Sequence, residues 1–156
     1  MQTRPQYEEA KAFANIFPGM TKSFITKDKD NNYETIHREI TLADYQDHIK
    51  GNVSIGVEPR NDSSKCRFGM LDFDEHKSNK KDVRPLTKGQ IKKIIDKINF
   101  LGLPLSVFKS NSGGLHAYLF LDDWYPAIDV RHILKKFQYA LGYERKTSAI
   151  EIFPKT

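Results

Sequence analysis

Apolar positions recur along this chain at two periods, and the switches between those periods mark its elements. Residues 6–17 carry a helical pattern with Phe13 and Ile16 as buried positions, ended by Pro18-Gly19. Residues 22–40 read as a hairpin: Ser23 to Thr26, a polar turn through Asp30-Asn31-Asn32, then Tyr33 to Ile40. A short helix capped by Thr41 stops at Gly51, and Asn52 to Val57 is a strand. Arg67 to Phe73 is apolar and β-prone. Thr87 and Gln90 form a capping box ahead of Ile91, Ile94, Ile95, Ile98 and Leu101 at helical spacing. Gly102-Leu103-Pro104 stops that helix. Strands follow at Leu105 to Lys109 and Leu115 to Leu121, with a turn through Asp122-Asp123-Trp124-Tyr125-Pro126. A second helix sets Val130, Ile133, Leu134, Phe137, Ala140 and Leu141 on one face and ends at Gly142. Ala149 to Phe153 is the last strand.

From residue 63 onward the order is β-α-β-β-α-β, which predicts an α+β fold: an RRM-like (ferredoxin-like) antiparallel sheet with helices on one face. Residues 1–62 form a smaller N-terminal α/β unit packed on that core, residues 63–156. The pattern implies the strand order 149–153, 67–73, 115–121, 105–109, with antiparallel neighbours. That order brings the end of the 67–73 strand and the starts of the 115–121 and 149–153 strands to one edge.

Three chemically suggestive stretches lie at those ends. Asp72 and Asp74 alternate with Leu71 and Phe73, so the acids share the open face and the apolar residues share the core face. Two such carboxylates suit a pair of hard cations spaced by roughly 3.5–4 Å. Ser112-Gly113-Gly114-Leu115-His116 is a glycine turn opening onto a histidine, with backbone N–H groups suited to an anion. Ser112 adds a hydroxyl, Lys109 a charge, and His116 a donor to a phosphate oxygen. Glu151 is a third acid, flanked by Ile150 and Ile152: either a cation shared with Asp72 and Asp74 removes the cost of burying it, or it stands in solvent on the open face. Glu75 and His76 read as solvated loop residues, and His76 to Lys81 as a basic, solvated loop. Trp124 and Tyr125 read as packing or surface residues, and His37, His48 and His132 belong to no constellation. Asp28, Asp30, Asn32 and Glu39 have calcium-loop spacing, but Tyr33 stands where that loop needs glycine.

Composition narrows the partners. With 38% hydrophobic and 29% charged residues the chain reads as globular, and its apolar runs are too short to cross a bilayer. The single cysteine, Cys66, excludes an internal disulfide and a multi-cysteine zinc site. A net charge of +5 favours a polyanionic partner. A cytoplasmic location is the default expectation.

Asp72-Phe73-Asp74, the Ser112 to His116 turn and Glu151 together resemble the motifs of the archaeo-eukaryotic primase superfamily, the primase-polymerases. Gly69 to Asp74, preceded by Gly51 to Gly56, resembles the mobile-element and phage branch, and Lys109 to His116 is similar to polymerase domains of bacterial end-joining ligases. The resemblance covers roughly residues 50–156. It implies a DNA primase-polymerase domain that transfers a nucleotidyl group from a (d)NTP to a 3′-hydroxyl. Asp72, Asp74 and Glu151 would hold two Mg²⁺ or Mn²⁺ ions, with His116 in the catalytic set. Lys109, Ser112, Gly113, Gly114 and His116 would bind the incoming triphosphate. DNA template and primer are the implied partners, with a helicase or further domains of a larger replication protein beside them. The third acid is Glu where many members carry Asp, and catalytic modules of the family usually continue past the third motif. The ending at Thr156 leaves a minimal form, a fragment and a partner-dependent module open.

Two other readings use a similar sheet. A rolling-circle replication nuclease needs two histidines one residue apart, but positions 114 and 118 are Gly and Tyr. A non-catalytic single-strand-binding module wants exposed aromatics on the central strands, where this sequence offers acids.

Overall fold

The computed structural model describes residues 4–30, 32–76, 83–143 and 150–155. The chain divides into two compact units: Met1–Phe68 with Asp123–Tyr125, and Gly69–Asp122 with Pro126–Thr156.

In the first unit, α1 (Arg4–Ile16) precedes β1 (Phe24–Lys27), β2 (Tyr33–Ile36), α2 (Leu42–Ile49) and β3 (Ser54–Gly56). The strands form an antiparallel sheet in the order β2-β1-β3. Phe13 is the hub between the helices, with ring centroids 4.7 Å from Phe17, 5.8 Å from Tyr45 and 5.4 Å from His48. His48 is therefore a packing residue, its Nδ1 3.1 Å from the Val53 carbonyl. Ile16 was expected inside but is 48% exposed, while Ala10 is fully buried, so the buried stripe of α1 runs through 10 and 13. Thr41 caps α2 in a complete capping box with Asp44, which Arg38 clamps with both guanidinium nitrogens at 2.7 Å. Asp28 is committed to the hairpin turn, its Oδ1 accepting from the amides of Asp30 and Asn32 at 2.8 and 2.9 Å.

The second fold element is a four-stranded sheet of β4 (Lys65–Phe73), β7 (Ser106–Lys109), β8 (Leu115–Pro126) and β9 (Ile150–Phe153). Its order is β7-β8-β4-β9, the order expected of the split βαβ pattern. Two helices connect it: α3 (Lys88–Phe100), started by the Thr87–Gln90 capping box, and α4 (Ala127–Ala140). Leu71, Phe73, Leu115, Ala117, Leu119 and Ile152 are all buried on the core face, at 7% exposure or less. Each of the larger ones contributes about 1.5–3 kcal/mol. Gly69 lets α4 close onto β4: an added Cβ would stand 2.7 Å from Leu134 Cδ1 and 3.0 Å from Val130 Cγ1. Arg131 of α4 donates to the carbonyls of Ile152 and Pro154 at 2.7 and 2.8 Å, which pins β9.

Three expectations are corrected here. The inner face of α4 runs through Ala127, Val130, Leu134, Gln138 and Leu141, so Ile133 and Ala140 lie outside it. Strand β8 does not turn at Asp122 but continues to Pro126, because Trp124 and Tyr125 are β-formers that outweigh the two preceding acids. Glu75 and His76 are not plain loop: they form β5 (Glu75–His76), paired antiparallel with β6 (Val83–Arg84). The basic run at 77–81 lies outside the described residues.

Candidate active site

Antiparallel register brings the first acid and the third together. Asp72 of β4 pairs with Glu151 of β9, and their neighbours Leu71–Ile152 and Phe73–Ile150 pair on the core face. His116 enters from β8, the strand on the other side of β4. Its Nε2 lies 3.5 Å from Asp72 Oδ1, with side chains 31% and 19% exposed. That separation is longer than a good N–H···O bond, and Asp72 Oδ1 is buried with no hydrogen-bond partner.

This surrounding explains the electrostatics. Burial, then repulsion from Asp74 and Glu151, pushes the Asp72 carboxyl up to about 7, with Lys155 pulling the other way. Burial also depresses the His116 imidazole, against the pull of Asp74. The other ring nitrogen, Nδ1, lies 3.5 Å from the Tyr118 hydroxyl. Burial and then the nearby Asp72 charge raise the Tyr118 phenol above its ordinary value. Lys155 answers the third acid, its Nζ 3.0 Å from Glu151 Oε2 and 4.8 Å from the centre of the Phe153 ring.

The glycine turn is built around Asp74. Ser112 donates to Asp74 Oδ1 at 2.8 Å. A Cβ on Gly114 would collide with the Phe73 carbonyl and with that same carboxylate oxygen, so only glycine lets the turn close on the acid. Gly113 has φ +87°, the left-handed region, and an added Cβ would stand 2.7 Å from Pro85 Cβ. Lys109 is exposed and pairs in register with Leu115, so its side chain leaves β7 on the face opposite Phe108 and His116.

The structure therefore gathers Asp72, Glu151 and His116, sets Asp74 beside them on Ser112 and Gly114, and starts Lys109 on the other side of the sheet. Among the described residues no three His, Cys, Asp or Glu side chains converge as a finished metal cage. The donor set still fits hard divalent cations: three carboxylates, one with a buried oxygen that no hydrogen bond satisfies. Asp74 faces Ser112 through Oδ1, and Glu151 faces Lys155.

Sequence reasoning missed two features of this face. Ser110, 6% exposed, lies under the turn and bonds both Ser112 and the Gly114 amide. The open face also carries aromatics, contrary to the expectation of acids alone. Phe108 pairs with His116 in register and is 53% exposed. Its ring meets Tyr118 edge-on at 5.8 Å, and Tyr118 stacks on Phe120 at 5.6 Å. The alternation His116-x-Tyr118-x-Phe120 in the sequence was the available signal.

No helix among the described residues is long and apolar enough to cross a membrane. No curated protein matches the chain. The sequence pattern of one family, described as the archaeo-eukaryotic primase domain of the TOTE conflict system, matches residues 6–156. The match takes in the N-terminal segment that the motif resemblance, beginning near residue 50, left out. With its three motifs on one sheet edge and almost its whole length matched, the chain belongs to the archaeo-eukaryotic primase domain family of the TOTE conflict system, a primase and nucleotidyltransferase type of superfamily.

Proposed function

We propose that this domain is a DNA primase-polymerase that transfers a nucleotidyl group from a (d)NTP to a 3′-hydroxyl. The observation that carries the reading is the buried, unsatisfied Asp72 Oδ1, facing Glu151 across the strand pair. A carboxylate held there without a counter-charge is costly, and a bound cation offsets that cost. Asp72, Asp74 and Glu151 would hold two Mg²⁺ or Mn²⁺ ions, which when bound neutralise phosphate charge and favour the alkoxide form of the attacking hydroxyl. His116, half-buried and with its imidazole pKa depressed by that burial, would offer a ring N–H to a phosphate oxygen. The Tyr118 hydroxyl stands on the Nδ1 side of the imidazole. DNA template and primer, and a helicase or further replication domains, are the partners this chemistry calls for.

A second reading is favoured by the exposed Phe108 ring on the same face: a module that binds single strands by stacking and performs no chemistry. The rolling-circle nuclease gains nothing here, because Gly114 and Tyr118 flank His116 where that enzyme needs a second histidine.

Incorporation of a labelled nucleotide on a primed and an unprimed template, with Mg²⁺ or Mn²⁺, tests the proposal. Wild type is expected to incorporate, and Asp72→Ala with Asp74→Ala to be inactive while still folded. Binding of single strands without incorporation by wild type supports the second reading instead. Activity surviving in the double variant removes the acids from the mechanism.

A further inference from the structure

The hydroxyls of Ser110 and Ser112 can be assigned a direction by counting protons. Each serine has one O–H to give. Ser112 Oγ lies 2.8 Å from Asp74 Oδ1, and a carboxylate only accepts, so the Ser112 proton is spent there. Ser110 Oγ lies 2.7 Å from Ser112 Oγ, so in that pair Ser110 is the donor. The amide of Gly114 in turn donates to Ser110 Oγ at 2.8 Å. The result is a one-way chain from Gly114 N–H through Ser110 and Ser112 to the carboxylate, in which each link polarises the next.

The chain is rigid at its origin. Ser110 is 6% exposed, and backbone bonds from Ser110 N to Gly114 O and from Gly113 N to Ser110 O close the turn around it at 3.0 and 3.1 Å. Leu86 N donates to Gly113 O at 3.0 Å and braces the turn from outside. Gly114 serves both ends: its amide starts the chain, and its missing Cβ makes the space in which Asp74 stands.

From this geometry we infer that Ser110 is a positioning residue. Through Ser112 it fixes Asp74 by Oδ1 and leaves Oδ2 to face a divalent cation. The inference rests on the reading of Asp72, Asp74 and Glu151 as a cation site, and it gives Ser112 to Asp74 in place of a phosphate.

Direct Mn²⁺ titration of the whole chain without nucleotide, following free Mn²⁺ by its paramagnetic resonance, is the test. Ser110→Ala and Ser112→Ala are each expected to weaken Mn²⁺ binding by roughly 10–100-fold, as loss of an outer partner of a metal ligand does. The double variant should be no worse than either single one, because both cut the same chain. Ser112→Thr, which keeps the hydroxyl at an exposed position, should restore most of the affinity. Unchanged affinity in both single variants, or additive losses in the double one, overturns the relay while leaving the cation site standing. Absence of Mn²⁺ binding by wild type overturns the cation site and the relay with it. Since Ser110→Ala removes a buried bond, its melting curve is recorded too, and a lowered melting temperature with wild-type Mn²⁺ affinity assigns Ser110 to folding alone.

Discussion

Asp72 and Glu151 occupy directly opposed positions on adjacent antiparallel strands, an arrangement in which two like charges repel. Among the described residues Lys155 stands within ion-pair reach of Glu151, while Asp72 has beside it the imidazole of His116, whose pKa burial depresses. The strand pair is thus held together by its apolar neighbours, Leu71–Ile152 and Phe73–Ile150, against its own acids.

Asp72→Asn is expected to stabilise the cation-free protein at alkaline pH and to abolish nucleotide incorporation. The folded carboxyl titrates at about 7 against 3.8 for the free group. The folded state therefore binds more protons between those values, and stability falls as pH rises through that window. At pH 8 the wild type has lost the full amount, roughly 1–3 kcal/mol after allowance for solvent screening. Urea unfolding with a chelator at pH 5 and pH 8 should show roughly half or more of that difference in wild type and a flatter profile in the variant.

Divalent cations should act in the opposite sense. A cation that binds only the folded state at a hundred times its dissociation constant adds about 2.7 kcal/mol. Thermal unfolding with and without Mn²⁺ is expected to show a rise in wild type that is larger at pH 8 than at pH 5, where Asp72 is protonated. Glu151→Gln should lose most of that rise.

Arg131 connects the helical layer to the third motif through two backbone carbonyls, those of Ile152 and Pro154. Arg131→Ala leaves both acceptors without this donor and is expected to cost about 1–3 kcal/mol. Lysine should rescue only part, because its ammonium sits on a flexible stem where Arg131 aims one rigid guanidinium nitrogen at both carbonyls. The check is chemical denaturation of both variants, alongside Mn²⁺ affinity, which should fall as Glu151 loses its seat.

Gly69→Ala should destabilise by about 1–3 kcal/mol, the usual cost of overfilling a packed core. The added methyl would meet Leu134, Val130 and the Phe153 carbonyl on three sides. Truncating Leu134 to Ala in the same chain should recover part of the loss, since that side chain makes the closest contact at 2.7 Å. Paired urea melts of the single and double variants measure the recovery.

Much of the second half was legible because local signals agreed there. The Thr87 capping box, the isoleucines behind it and the alternation around Asp72 each specify one conformation, and together they imply the observed strand order. Convergence of Asp72, His116 and Glu151 at one edge follows from that order alone. What stayed hidden depends on partners distant in sequence. The lengthened β8 overrides a local Asp-Asp turn signal, and the pairing of β5 with β6 rests on two residues in each strand. Ser110 reads as an ordinary loop serine until Asp74 is set beside its turn. Ile16 and Ile133 satisfy helical spacing, yet neighbouring positions face inward, since periodicity fixes a stripe only to within a residue.

The absence of a side chain at Gly114 has a consequence for anyone who would rebuild this molecule. Asp74 and the turn that receives it are separated by dozens of residues in the chain, yet the carboxylate fills the notch the glycine leaves, as a tenon fills a mortise. Neither part can be grafted onto another scaffold by itself: the acid without the notch has no seat, and the notch without the acid is an open gap beside an unanswered hydroxyl. They are inherited, exchanged or redesigned as one piece.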